Sequence, residues 1–153
     1  MLRDSRAWMY AAGLWLVLSA VGHGTAHVWS FVLEHGMYGM REFAMNAMKQ
    51  APSAEPLRPT LWGQFRALSM GFGLLLLFAG GVDIMLAWTR APHRTIAAFS
   101  LFATAFWTTA FGLFAFVEPL LQGILVSMVA VPLHAIAYTT SEYAAREPDA
   151  AEP

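Results

Sequence analysis

Four long apolar stretches, residues 8–33, 61–88, 95–117 and 119–140, leave this chain few ways to fold. Each exceeds the roughly 18 residues that read as a membrane-spanning helix, and lipid admits only helices or closed barrels, because every backbone N–H and C=O must be satisfied inside the protein. No ten-residue alternation of the barrel kind accompanies them. Composition agrees, with 58% hydrophobic and 12% charged residues, against about 25% charged in soluble domains. The expected fold is all-α, a polytopic membrane protein. Its four transmembrane helices form one antiparallel bundle over residues 1–140, and residues 141–153 form a disordered polar tail.

Arg3 and Arg6 precede the first stretch, and Arg90 and Arg94 lie in the short connection between the second and third. The positive-inside rule then sets both termini in the cytoplasm of a cell membrane, of the bacterial inner-membrane kind. With Arg146 the inner charges number five, against four outside at Arg41, Lys49, Arg58 and Arg66. The first stretch exceeds a signal-peptide core and lacks a convincing cleavage site, so it reads as retained. The only long connection contains an amphipathic pattern over residues 37–50. Met37, Met40, Phe43, Ala44, Ala47 and Met48 fall on one side, with Glu42, Asn46, Lys49 and Gln50 opposite. Such a helix lies in the membrane interface or caps the outer mouth of the bundle. Pro52, Pro56 and Pro59 make the following segment extended, and Thr60 is placed to cap the second long helix.

Nothing in the charge, −1 overall with no basic cluster, suits nucleic acid. The absence of cysteine excludes disulfides, thiolate ligands and iron–sulfur clusters. The residues that need a reason are therefore the polar ones inside apolar sequence. His23 and His27, at i and i+4, share a helix face about 6 Å apart. Glu34 falls within about 20° of that face if the helix continues regularly. Arg66 near the start of the second stretch can snorkel outward or reach Glu34. Asp83 and His134 lie at similar inner depth on the second and fourth stretches, which predicts a carboxylate–imidazole pair; the alternative is a protonated Asp83 bonded to backbone or threonine. Pro132 should kink the last helix beside His134.

His23 and His27 admit interhelical hydrogen bonds to Thr25, Ser19 or backbone, or metal or haem ligation, or contact with a ligand. They do not form the zinc-protease motif, since Gly24 stands where that motif has its glutamate. A haem held between His23 and His134 is disfavoured by a depth offset of about 11 Å, counted from helical rise. Met37, Met40, Met45 and Met48, with His35, form a possible copper(I) set or simply adaptable packing. Ala20/Gly24 and Gly22/Ala26 are small-xxx-small pairs for close helix approach, and Ser69, Gly71, Gly73, Gly80 and Gly81 offer the same on the second helix. Trp8, Tyr10, Trp29, Trp62, Trp88 and Tyr138 read as an aromatic belt.

With its four stretches, its histidine-bearing first helix and the segment Thr60-Leu61-Trp62-Gly63-Gln64-Phe65-Arg66 leading into a Gly/Leu-rich second helix, the chain resembles small bacterial four-helix membrane proteins of the DoxX-like kind. That resemblance implies the fold and leaves the activity open. A more distant likeness is to four-helix sterol isomerases and ligand-binding proteins of eukaryotic membranes, whose cavities set acidic residues and aromatics around apolar ligands.

Three functions follow as expectations. The first is binding of a small hydrophobic molecule or lipid, or service as an accessory subunit, in a cavity lined by His23, His27, Arg66, Asp83 and His134, with Glu34 as a further candidate. The second is a haem- or metal-containing redox component using His23 and His27. The third is a membrane isomerase in which Asp83 or Glu34 works with a histidine as acid and base. Partners consistent with these are membrane lipid, a hydrophobic small molecule, and a partner subunit or second copy of the chain.

Overall fold

The computed structural model describes residues 4–34, 38–52, 60–117 and 121–146. All regular structure in them is helical: α1 (Ser5–His27), α2 (Met40–Gln50), α3 (Leu61–Trp88), α4 (His93–Gly112) and α5 (Leu121–Arg146). Wider π-helical turns, Val28–Val32 and Leu113–Val117, extend α1 and α4. Among the described residues, three helical segments are long and apolar enough to cross a membrane, Leu61–Trp88, His93–Phe116 and Leu121–Arg146. Their surfaces carry large apolar side chains in the open, with Phe78 71%, Phe102 67% and Leu74 64% exposed. Water tolerates few such contiguous faces, whereas lipid requires them. At 23 residues α1 has the length to cross but is not among the three segments apolar enough to do so.

Local chemistry sets the helix ends. Thr60 caps α3 as its position predicts, its Oγ1 accepting the Gly63 N–H at 3.2 Å. At the other end of α3 the chain closes in a Schellman turn. The Arg90 N–H donates to the Ala87 carbonyl and the Ala91 N–H to the Leu86 carbonyl, with Arg90 in the left-handed region at φ 53°. Pro92 follows and starts α4, accepting the Thr95 and Ile96 N–H groups at 2.9 and 3.1 Å.

Contacts divide the chain into two compact units. In the first, residues 1–18 with 78–153, Met9 of α1, Ala87 of α3, Ile96 of α4 and Ala137 of α5 meet in one buried cluster with Ala91. Gly13 and Gly80 bring α1 and α3 backbone to backbone. A Cβ on Gly13 would sit 2.7 Å from the Gly80 carbonyl oxygen, and one on Gly80 2.6 Å from that of Gly13. The Trp15 indole N–H donates to the Val126 carbonyl of α5 at 3.1 Å. The second unit, residues 19–77, joins the later part of α1, α2 and the earlier part of α3. Phe31 packs edge-on against Trp62 and Phe65, at centroid distances of 5.6 and 5.1 Å.

Several sequence expectations move. The tight helix crossing uses Gly13 and Gly80, while Cβ atoms added at Gly22, Gly24, Gly71 or Gly81 would meet nothing within 4 Å. A small-residue spacing marks where backbones can approach; the partner decides where they do. Residues 141–146, placed in a disordered tail by their polarity, continue α5; the rest of that tail lies outside the described residues. Trp62, assigned to the aromatic belt, is 6% exposed and packs inside the second unit. In α2 the packed side chain is Met45, while Met40, Phe43, Ala44 and Ala47 stay exposed, so the apolar face points away from the chain's own core. Met40 and Met45 thus lie on opposite sides of α2, away from one common copper site; Met37 and His35 lie outside the described residues, as do Pro56, Pro59 and Pro119.

Candidate functional site

Ser69 of α3 organises the histidines of the second unit. His23 Nε2 lies 2.8 Å from the Ser69 carbonyl oxygen and 3.1 Å from its Oγ, and His27 Nδ1 lies 2.9 Å from the same Oγ. A carbonyl can only accept, so His23 Nε2 carries a proton and donates it there. That nitrogen then has no lone pair for the serine, whose hydroxyl, with one hydrogen and two lone pairs, either donates to His27 Nδ1 or accepts from it. In a neutral ring Nε2 of His27 takes the complementary role, donor or acceptor. That atom is buried and has no hydrogen-bond partner in the chain. His27 as a residue is 3% exposed. A buried polar atom left without a partner costs about 1–3 kcal/mol, so the arrangement stores an unmet demand at one defined atom.

The two imidazoles, 6.4 Å apart between ring centroids, line a groove of about 250 Å³ with Ala20, Gly24, Gly73 and Leu77. Gly24 has open space where a Cβ would be, and a Cβ on Gly73 would press on His23 Cδ2 at 3.2 Å. Small residues on the facing helices therefore leave room beside the rings. A second groove of about 420 Å³, reaching Trp29 and Leu33, shares Val21, Gly24 and Val28 with the first. Ring edges support the imidazoles, Phe72 against His23 and Phe31 against His27, each with centroids 5.3 Å apart.

Asp83 and His134 belong to the first unit and meet there as their depths predict. His134 Nε2 is 3.1 Å from Asp83 Oδ2, and both side chains are 1% exposed. His134 Nδ1 is 2.8 Å from the Ala130 carbonyl and must donate to it. The Nε2–Oδ2 contact then holds one further proton, whichever atom carries it, and the pair has no net charge. Neutrality is what makes such a pair tolerable away from water. Asp83 Oδ1 is left without a partner, as are the buried hydroxyls of Ser127 and Ser141 on the same side of α5.

Glu34 joins neither group, and Arg66 reaches the histidine group only through its charge, which acts on His27. The π-helical turn after His27 breaks the regular 100° advance, and Glu34 leaves the helix in the left-handed region at φ 57°. Its carboxylate, 43% exposed, pairs with Lys49 of α2. Arg66 forms no ion pair among the described residues, with Glu34 or otherwise. Also among the described residues, no three His, Cys, Asp or Glu side chains gather as a metal site would require. Of the partners the sequence offered, backbone holds for His23 through the Ser69 carbonyl, while Ser19 and Thr25 do not serve and the Ser69 hydroxyl was missed. Helical rise would have found it, since Ser69 and His27 both fall about 10 Å outward of their span centres. No protein-family model, curated protein or solved structure matches this chain.

Proposed function

We propose that the chain is a four-span integral membrane protein of the DoxX-like kind, with both termini cytoplasmic, that holds a small hydrophobic molecule or lipid in the groove beside His23 and His27, alone or as an accessory subunit. One observation carries this reading: His27, whose buried Nε2 has no hydrogen-bond partner in the chain, belongs to the wall of an otherwise apolar groove. Binding sites for apolar molecules have this make-up, mostly carbon with a few placed polar groups. The exposed apolar faces of α3, α4 and α5 support the membrane setting. The exposed Met40 and Phe43 face supports α2 as an interfacial helix rather than a lid. The closed Asp83–His134 pair serves here as a fixed internal tie.

The test is mass spectrometry of the organic extract of protein purified in mild detergent, wild type beside Gly24→Leu, together with an ultraviolet–visible spectrum. The leucine occupies space that is open in the structure, so the variant folds but fills the groove. The expected outcome is a discrete apolar species enriched with the wild type and reduced at least fivefold in the variant. Identical extracts contradict the proposal. A Soret band or stoichiometric metal that disappears in His23→Ala/His27→Ala supports the redox alternative in its place.

A further inference from the structure

We infer a second site, independent of the groove: where α1 and α4 begin, the fold gathers cations that hold the phosphate of an anionic glycerophospholipid. Ser5 Oγ lies 3.2 Å from His93 Nδ1, although 88 positions of sequence separate them. Arg6 and Arg94 are the next residues along, each one Cα step of about 3.8 Å from that contact. Arg90 joins them through the turn before α4, because Ala91 packs in the buried cluster with Met9, a helical turn beyond Arg6 on α1. Three arginines that the sequence keeps apart therefore share one end of the first unit.

Their charge is left open to an anion. None of Arg6, Arg90 and Arg94 forms an ion pair among the described residues. Arg90 and Arg94 are exposed, so their guanidinium groups can turn toward an incoming partner. Asp4, the carboxylate beside them, accepts the Arg6 backbone N–H at 3.0 Å, and Glu142 of α5 pairs with Arg146 at 3.5 Å. A guanidinium presents paired N–H donors that match two phosphate oxygens. Level selects the source of that phosphate. Trp88, two residues before Arg90, is 77% exposed, and Tyr10, one turn from Arg6, is 44% exposed. Such rings settle at the headgroup level of a membrane. Arginines at that level meet lipid phosphates first, and each strengthens binding to anionic lipid by about fivefold.

Lipid titration of the delipidated full chain tests the site. Protein in mild detergent is titrated with dioleoyl phosphatidylglycerol or with dioleoyl phosphatidylcholine, which carries the same phosphate beside a compensating ammonium, and bound lipid is counted by native mass spectrometry. Phosphatidylglycerol should be held about tenfold more tightly than phosphatidylcholine. Arg90→Gln and Arg94→Gln change exposed positions and leave the core untouched, and each should weaken phosphatidylglycerol binding about fivefold. Arg6→Gln/Arg94→Gln should erase the preference. Arg41→Gln/Lys49→Gln removes as much charge from α2 and should leave the preference intact. An equal loss in the α2 variant, or no loss in any arginine variant, overturns the site. Displacement of phosphatidylglycerol by millimolar inorganic phosphate overturns the lipid as occupant and assigns the cations to a free anion.

Discussion

Asp83→Ala and His134→Ala should each destabilise the purified protein by about 2–3 kcal/mol, because each leaves a buried polar partner unsatisfied. The double variant should lose less than the sum. Coupling of about 1 kcal/mol or more is expected, in the upper part of the range for hydrogen bonds between helices in membranes, since both side chains are 1% exposed. Asp83→Asn should be milder than Asp83→Ala. Its amide can donate to His134 Nε2 while Nδ1–H stays on the Ala130 carbonyl, 2.8 Å away. Reversible unfolding in mixed micelles measures all four proteins. Simple additivity would mean that the contact carries no energy of its own.

A larger loss is expected at the crossing of α1 and α3. A methyl group at Gly80 would sit 2.6 Å from the Gly13 carbonyl oxygen and 2.9 Å from Val17 Cγ2. Backbone cannot swing aside as a long side chain can, so the two helices must separate. Gly80→Leu should therefore cost about 3 kcal/mol or more and lower the yield of folded protein. Gly13→Leu should do the same and also disturb the buried pair, because its Cβ would press on Asp83 Cβ at 2.9 Å. Gly13→Ala and Asp83→Ala should accordingly be non-additive. Gly22→Ala provides the contrast, since nothing lies within 4 Å of its new Cβ. It should be neutral, or stabilising by up to about 1 kcal/mol through helix propensity. Equal sensitivity at Gly22 and Gly80 would contradict this packing.

These two sites mark how far the residues alone carry the fold. Apolar stretches of spanning length announce their helices because lipid leaves the backbone no other solution. Thr60 could be read as a cap because capping is local, and the Asp83–His134 contact followed from rise, which converts sequence position into depth. What escaped depends on which helices face each other. Gly13 carries no motif that distinguishes it from Gly22; only the position of Gly80 on α3 does. Ser69 is one serine among glycines and leucines until His23 and His27 are brought beside it. Glu34 was misplaced for a different reason, because a π-helical turn changes the angular advance that the face argument assumed. Met45 was obscured by the apolar side of α2, which is the side that does not pack.

The four-span reading rests most heavily on α1, the long helix outside the three apolar enough to cross, and one labelling experiment decides it. The chain contains no cysteine, so single cysteines can be placed at Asp4, Asn46, Thr89 and Tyr143, all exposed positions. Each variant is treated in intact cells with a membrane-impermeant maleimide, before and after permeabilisation. Four spans predict labelling of Asn46→Cys from outside, with Asp4→Cys, Thr89→Cys and Tyr143→Cys labelled only after permeabilisation. Labelling of Asp4→Cys together with Asn46→Cys from outside would show that α1 does not cross the bilayer, and would contradict the four-span protein on which the groove's lipid setting depends.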